Sequence, residues 1–143
     1  MVRARRLSAG ARDVNWLLDN FVAETDGVER VVGVSSDGLR IAISPPLPRA
    51  EAEKLAAMIS GMTSLALSAS RLRCKGPLRQ VISEFGAEYL LVSAIRDGSC
   101  LGVITQPNSD LGLMGYERAM LARRVGALLT PELITELKTS LMR

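Results

Sequence analysis

Cys74 is flanked by Arg71, Arg73, Lys75 and Arg79. Positive neighbours lower a thiol pKa and raise its reactivity, so a redox role is one reading of this thiol and an incidental loop position the other. A cysteine nucleophile also needs a base, and the 143 residues include no histidine. The same absence removes Ser-His-Asp triads and histidine general acid–base pairs. Cys100 lies in an apolar, strand-like segment and reads as a small core residue. Two cysteines without CxxC spacing do not make a zinc pattern. Glu84 and Glu88 could meet across a hairpin, although solvated strand ends explain them more simply. No GxxxxGK[ST] occurs, and Gly112, Gly115 and Gly126 are too widely spaced for GxGxxG. Those three glycines read as close packing of the last helix on a sheet. The sequence thus predicts no catalytic residue, no cofactor site and no metal site, and the chain reads as a non-enzyme.

The basic cluster could contact nucleic acid, but aromatic residues are 3% of the chain and the net charge is only +3. Tyr89 and Tyr116 are far apart, so no stacking platform is expected and nucleic acid is not a predicted partner. Arg3, Arg5, Arg6 and Arg12 add a basic N-terminal arm. Residues 1–10 are expected to form a solvated, disordered arm, with contact to an acidic partner or anionic surface as the functional alternative. Two free thiols fit a reducing cytoplasm, and no apolar run follows the basic N-terminus as a signal peptide requires.

The elements that would position these residues follow from periodicity and turn chemistry. A first helix is predicted over Ala11–Thr25, with Val14, Leu17, Leu18, Phe21 and Val22 on its apolar face and Trp16 covering an edge. Asp26-Gly27 stops it. Strands are predicted over Val28–Ser35 and Leu39–Ser44, joined by Ser36-Asp37-Gly38. Pro45, Pro46 and Pro48 end the second strand. A long helix follows, from about Pro48 to Leu72, ending in a basic loop that runs to Gly76-Pro77. Three strands come next, Leu78–Phe85, Glu88–Ile95 and Ser99–Thr105, turned by Gly86-Ala87 and Asp97-Gly98. Pro107-Asn-Ser-Asp110 caps a helix over Leu111–Leu128. Thr130-Pro131 opens a short helical tail carrying Leu133, Ile134, Leu137 and Leu141. Hairpin-length turns imply one antiparallel sheet with helices packed on it, an α+β sandwich in a single domain over residues 11–143.

The long helix has no charged side chain between Lys54 and Arg71. Leu55, Met58, Ile59, Met62 and Leu65 fall at helical spacing and form one apolar face. The other positions are Ala, Ser, Thr and Gly, which let a second backbone come close. Ser60, Gly61, Thr63, Ser64, Ser68 and Ser70 interrupt it too often for a bilayer span. It reads as an oligomer interface.

Together these features resemble the roadblock family (roadblock/dynein light chain domain), in particular the actinobacterial conservon-type branch encoded beside small Ras-like GTPases. The resemblance is carried by Leu17-Leu-Asp-Asn-Phe-Val22, Gly33-Val-Ser-Ser-Asp-Gly-Leu39, Leu55-Ala-Ala-Met-Ile-Ser-Gly61, Asp97-Gly-Ser-Cys-Leu-Gly102 and Gly112-Leu-Met-Gly-Tyr-Glu117. It covers residues 14–137. The chain departs from the pattern after the long helix, where relatives are small and glycine-rich and this chain has Arg71, Arg73, Cys74 and Lys75. The resemblance implies a five-stranded antiparallel sheet with helices on both faces, in the order α-β-β-α-β-β-β-α plus a short C-terminal helix. It implies a homodimer in which the long helices pair and the third strands can join two sheets. It also implies binding to a Ras-like GTPase.

The expected dimer residues are Leu55, Met58, Ile59, Met62, Leu65, Ala66 and Ala69. The expected GTPase contacts are Arg71, Arg73, Lys75 and Arg79. The function expected is a cytoplasmic regulatory scaffold that modulates a GTPase's nucleotide cycle. Indirect recruitment to the inner membrane face through a larger complex is also expected. The alternative is a small-molecule or signal-sensing module, against which a dry apolar core weighs.

Overall fold

Ser8 starts the first helix. Its hydroxyl accepts a hydrogen bond from the Ala11 amide at 3.2 Å and caps α1, Ala9–Glu24. The helix therefore begins two residues ahead of the expected Ala11, so Ala9 and Gly10 are helical where the arm was expected. The computed structural model describes residues 7–74 and 76–141, except for the Leu141 side chain, so Arg3, Arg5, Arg6 and Lys75 lie outside the described residues.

The expected elements follow in the expected order. They are β1 Val28–Val34, β2 Arg40–Ser44, α2 Arg49–Arg73, β3 Gln80–Phe85, β4 Glu88–Ala94, β5 Cys100–Thr105, α3 Leu111–Leu128 and α4 Pro131–Leu141. The β4–β5 turn has positive φ at both Asp97 (53°) and Gly98 (80°). That pair of left-handed residues matches the twist of the strands it joins. A Cβ on Gly98 would also come within 2.8 Å of the Ser36 side chain.

The sheet order is β2-β1-β5-β4-β3, and every pairing is antiparallel. β1 and β5 lie side by side in register Val31↔Val103 and Val32↔Gly102. β3 is an edge strand, bonded to β4 alone.

Alternation along the strands sends side chains to two cores. On one face Val31, Leu91, Leu101 and Val103 meet Val14, Leu18 and Phe21 of α1, Met114, Leu121 and Val125 of α3, and Leu133 and Leu137 of α4. On the other, Val32, Val34, Leu90, Val92 and Cys100 meet Ala56 and Ile59 of α2. The fold is thus a sheet with α2 alone on one face and the other helices opposite.

The helical tail is part of the domain. Thr130 caps α4 by accepting from the Leu133 amide at 3.1 Å. Lys138 Nζ bonds Asp37 Oδ2 in the β1–β2 turn at 3.0 Å, and the Ser8 amide donates to Glu136 Oε2 at 2.8 Å.

Two local expectations are corrected. Trp16 is 61% exposed on the outer side of α1 and covers no edge, because Val14, Leu18 and Phe21 already fill that helix's inner face. Of the α3 glycines, only Gly126 faces a neighbour closely, with Ile95 Cγ2 3.1 Å from an added Cβ. Gly115 meets nothing within 4 Å, and Gly112 meets only the capping Asp110 carboxylate.

Candidate functional site

The inner stripe of α2 is Ala52, Ala56 and Ile59, all buried. Two alanines let the helix lie close to the sheet, and β5 supplies a glycine where it crosses. A Cβ on Gly102 would stand 2.7 Å from Ile59 Cδ1. Beyond Ile59 no residue of α2 is buried, so the second half of the helix stands on the sheet with its flank open.

The apolar face read from the sequence therefore divides in two. Ile59 is an intramolecular core residue at 0% exposure, which corrects its assignment to a dimer interface. Leu55 and Met62 are half-buried and pack against the same core. Met58 is 57% exposed and Leu65 76%. Leu72 is 84% exposed and extends their line, so Met58, Leu65 and Leu72 recur at seven-residue spacing. Seven residues are close to two helical turns, so these three side chains form one outward stripe. Leu72 is an addition to the expected interface residues: α2 runs through it to Arg73. Gly61 is exposed, with open space around it. Ala66 is half-buried and Ala69 exposed.

The edge strand continues this surface. Phe85 is 60% exposed; Ile82, 52% exposed, pairs with Leu91 and so lies on the opposite face of the sheet. Phe85 pairs with Glu88 and shares the parity of Leu90 and Val92, which places it on the α2 face. A free strand edge beside exposed apolar side chains is a template for another strand. By length and composition α2 could also cross a membrane, yet Ala52, Ala56 and Ile59 hold it to the sheet as a layer of this domain.

The end of α2 carries the expected basic residues. Arg71 and Arg73 belong to its last turn, which corrects the reading of them as loop residues. Cations there complement the negative end of the helix dipole. Cys74 takes a left-handed conformation (φ 52°, ψ 38°), and its amide donates to the Ser70 and Arg71 carbonyls, which closes the helix. The Ser70 hydroxyl then reaches the Gly76 carbonyl at 2.6 Å. This hook turns the chain back toward β3 and brings Arg73 and Arg79 to one shallow groove of about 440 Å³, shared with Ala66, Ala69 and Ser70. Arg71 is exposed outside that groove, and Lys75 lies outside the described residues. Dimer and partner positions expected separately are thus contiguous in the fold.

The cysteines have different settings. The exposed Cys74 thiol donates to the Arg71 carbonyl at 3.3 Å. Cys100 is buried 3.7 Å from Thr63 Oγ1. Because Thr63 gives its proton to the Ile59 carbonyl at 2.8 Å, Cys100 must be the donor in that pair. Burial pushes the Cys100 thiol pKa up, against a smaller downward pull from Thr63.

Among the described residues the one buried charged group runs against the expected dry core, alongside the buried hydroxyls of Ser35, Ser44, Ser93, Ser99 and Thr105. Arg118 of α3 is 8% exposed, and its Nη2 donates to Gln80 Oε1 on β3. Its signal was present in the spacing of Met114, Arg118, Leu121 and Val125, which sets one arginine on an otherwise apolar stripe. Among the described residues no group of three or more Cys, Asp or Glu side chains could hold a metal ion.

Comparison with known proteins agrees with this architecture. The Roadblock/LC7 domain family matches residues 14–105. A Roadblock/LC7 domain from Streptomyces avermitilis is 35% identical, covers 78% of this chain and 92% of its own, and superposes with a TM-score of 0.72. Myxococcus xanthus MglB shares the fold at 15% identity, with 88% and 97% coverage and a TM-score of 0.77. An MglB solved with a tetrameric arrangement is similar at 14% identity, 90% and 96% coverage and a TM-score of 0.75. No curated protein matches the sequence.

Proposed function

The chain belongs to the Roadblock/LC7 domain family, and from that premise we propose that it is a non-catalytic regulatory scaffold of the cytoplasm. In this reading it is a homodimer that binds a small Ras-like GTPase and biases its nucleotide cycle. The observation that carries the self-association is the outward stripe Met58–Leu65–Leu72 beside the open β3 edge. A monomer gains nothing from three exposed large apolar side chains in line on one helix flank. A two-fold axis across α2 sets the stripe against its own copy and buries it. The helix spans roughly 37 Å at 1.5 Å per residue, long enough for a contact of ordinary interface size when the β3 edges join as well. The tetrameric arrangement of one MglB supports self-association as a property of this fold.

The GTPase partner rests on the family resemblance in the sequence, and the basic end of α2 supplies its chemistry. In the dimer two copies of Arg71, Arg73 and Arg79 lie at the ends of the paired helices and present basic surface to an acidic switch region. Hydrolysis requires ordered switch loops, so a scaffold that holds or releases them changes the nucleotide cycle without a catalytic residue of its own. The charges steer encounter, so added salt slows association more than it speeds dissociation.

The test is titration of a Ras-like GTPase, loaded with a fluorescent nucleotide, by wild type and by the triple variant Arg71→Ala, Arg73→Ala, Arg79→Ala. Each exposed contact contributes about 0.2–1 kcal/mol, so the triple change is expected to weaken binding about 3- to 150-fold at low salt. Equal affinities would remove the basic end of α2 from the partner surface.

A further inference from the structure

We infer that a cavity between α3 and the β3–β4 edge of the sheet binds a small organic phosphate. The cavity has a volume of about 540 Å³. Its lining includes Arg79, Gln80, Arg96, Arg118 and Arg123 but no aspartate or glutamate. Arg96 also reaches Asp97 at 3.8 Å on the surface, a loose contact that leaves its guanidinium largely free.

Arg118 is the centre of the argument. It is more than nine-tenths buried. Its Nη2 is bonded to the neutral amide oxygen of Gln80, while Nε and Nη1 are buried with no hydrogen-bond partner among the described residues. Burial pulls its pKa down, but a guanidinium stays charged at any physiological pH. A buried cation facing one neutral acceptor is costly, and orphaned donors in a native interior call for a partner. An oxyanion supplies the missing charge and, bridging Nη2 and one adjacent nitrogen, a partner for one of the two orphaned donors. It takes the place of Gln80 Oε1 on the guanidinium fork, and exchanging a neutral for a charged acceptor strengthens the bonds. Gln80 is exposed on the edge strand and free to swing aside.

The ligand class follows from charge and size. Four guanidinium groups around one cavity outmatch a single carboxylate. A phosphate group brings about two negative charges and three acceptor oxygens, and arginine forks match it bidentately. The volume is that of a small-molecule site and exceeds a bare ion. The remaining wall, formed by Ala94, Ile95, Ala119, Ala122, Gly126 and Ala127, offers a smooth apolar bed for the organic body. Arg79 and Gln80 also line the groove at the end of α2, whereas Arg96, Arg118 and Arg123 do not, so a loss of binding in an Arg118 variant is distinguishable from a loss of the partner surface.

Calorimetric titration of the full chain with ADP and with inorganic pyrophosphate tests the proposal. One molecule of either is expected to bind per chain, and adenosine is expected to give no heat. Gln80→Glu places a carboxylate on Arg118, and Arg118→Met removes the fork. Each is expected to weaken binding about tenfold or more, with thermal unfolding confirming that both variants fold. Arg49→Ala, an exposed arginine in the first turn of α2, lies outside the cavity and is expected to leave affinity unchanged. The inference is overturned if neither probe binds at millimolar concentration, if Gln80→Glu binds as wild type does, or if Arg49→Ala abolishes binding.

Discussion

Replacing Leu65 by lysine separates the dimer contact from the fold. Leu65 is 76% exposed in the protomer, so about three quarters of its surface remains to be buried by a partner. Full burial of a leucine side chain stabilises by about 1.5–3 kcal/mol, which leaves about 1–2 kcal/mol per copy here. A two-fold contact counts the residue twice, for a loss of roughly 2–4 kcal/mol and a dimer weakened about 30- to 700-fold before charge is considered. The lysines would also face each other across the axis, which adds repulsion and the cost of burying charge. The protomer itself loses little, since an exposed substitution on a helix changes stability by about 0.5 kcal/mol or less. Sedimentation equilibrium over a range of concentrations measures the association, and chemical denaturation at low protein concentration measures the fold. The expected result is a wild-type dimer and a folded Leu65→Lys monomer. A wild-type monomer at micromolar concentration, or a variant that dimerises as tightly as wild type, would refute the reasoning.

Ile59→Ala should do the converse and destabilise the protomer by about 2–5 kcal/mol, because Ile59 is fully buried against Gly102 and the sheet; denaturant unfolding of a dissociated background such as Leu65→Lys isolates that effect. Asp37 is held below the usual carboxylate range by the Ser35 hydroxyl first and by Lys138 as well. Its contribution is present above the unfolded carboxylate pKa and is lost as pH falls through the depressed folded value. Asp37→Asn should therefore lower stability by about 0.2–1 kcal/mol near neutrality, an exposed-pair magnitude, with the gap from wild type closing in acid. Thermal melts at several pH values check this, and a gap that widens in acid would contradict it.

The parts of the fold legible in the sequence were those set by local chemistry. Asp97-Gly98 and Ser36-Asp37-Gly38 marked turns, Asp110 and Thr130 marked caps, and Val-rich runs marked strands. Assembly of these pieces into one antiparallel sheet followed from turn lengths, and the assignment of helices to faces came from the resemblance.

The interior of the candidate site was less legible. Helical spacing grouped Leu55, Met58, Ile59, Met62 and Leu65, but their shared arc is wide enough to be split between sheet and solvent. Which side faced the sheet was decided by Ala52 and Ala56, whose small size lets the helix descend onto Gly102. That contact is long-range, and no window of sequence contains it. Leu72, Ile82 and Phe85 became surface features only once the helix end and the edge strand were placed. Arg118 could have been found, since it interrupts an apolar stripe at regular spacing. Its neighbours Gln80, Arg79 and Arg96 come from other segments, and only the fold joins them.

The central claim is a two-fold scaffold that engages a Ras-like GTPase. The most direct measurement is the mass of the complex by sedimentation of the purified protein mixed with a GTP-analogue-loaded Ras-like GTPase. The expected result is one boundary containing two copies of this chain together with the GTPase, shifted to separate species by Leu65→Lys or by the triple arginine change. A GTPase that sediments alone beside this protein at micromolar concentrations would contradict the account.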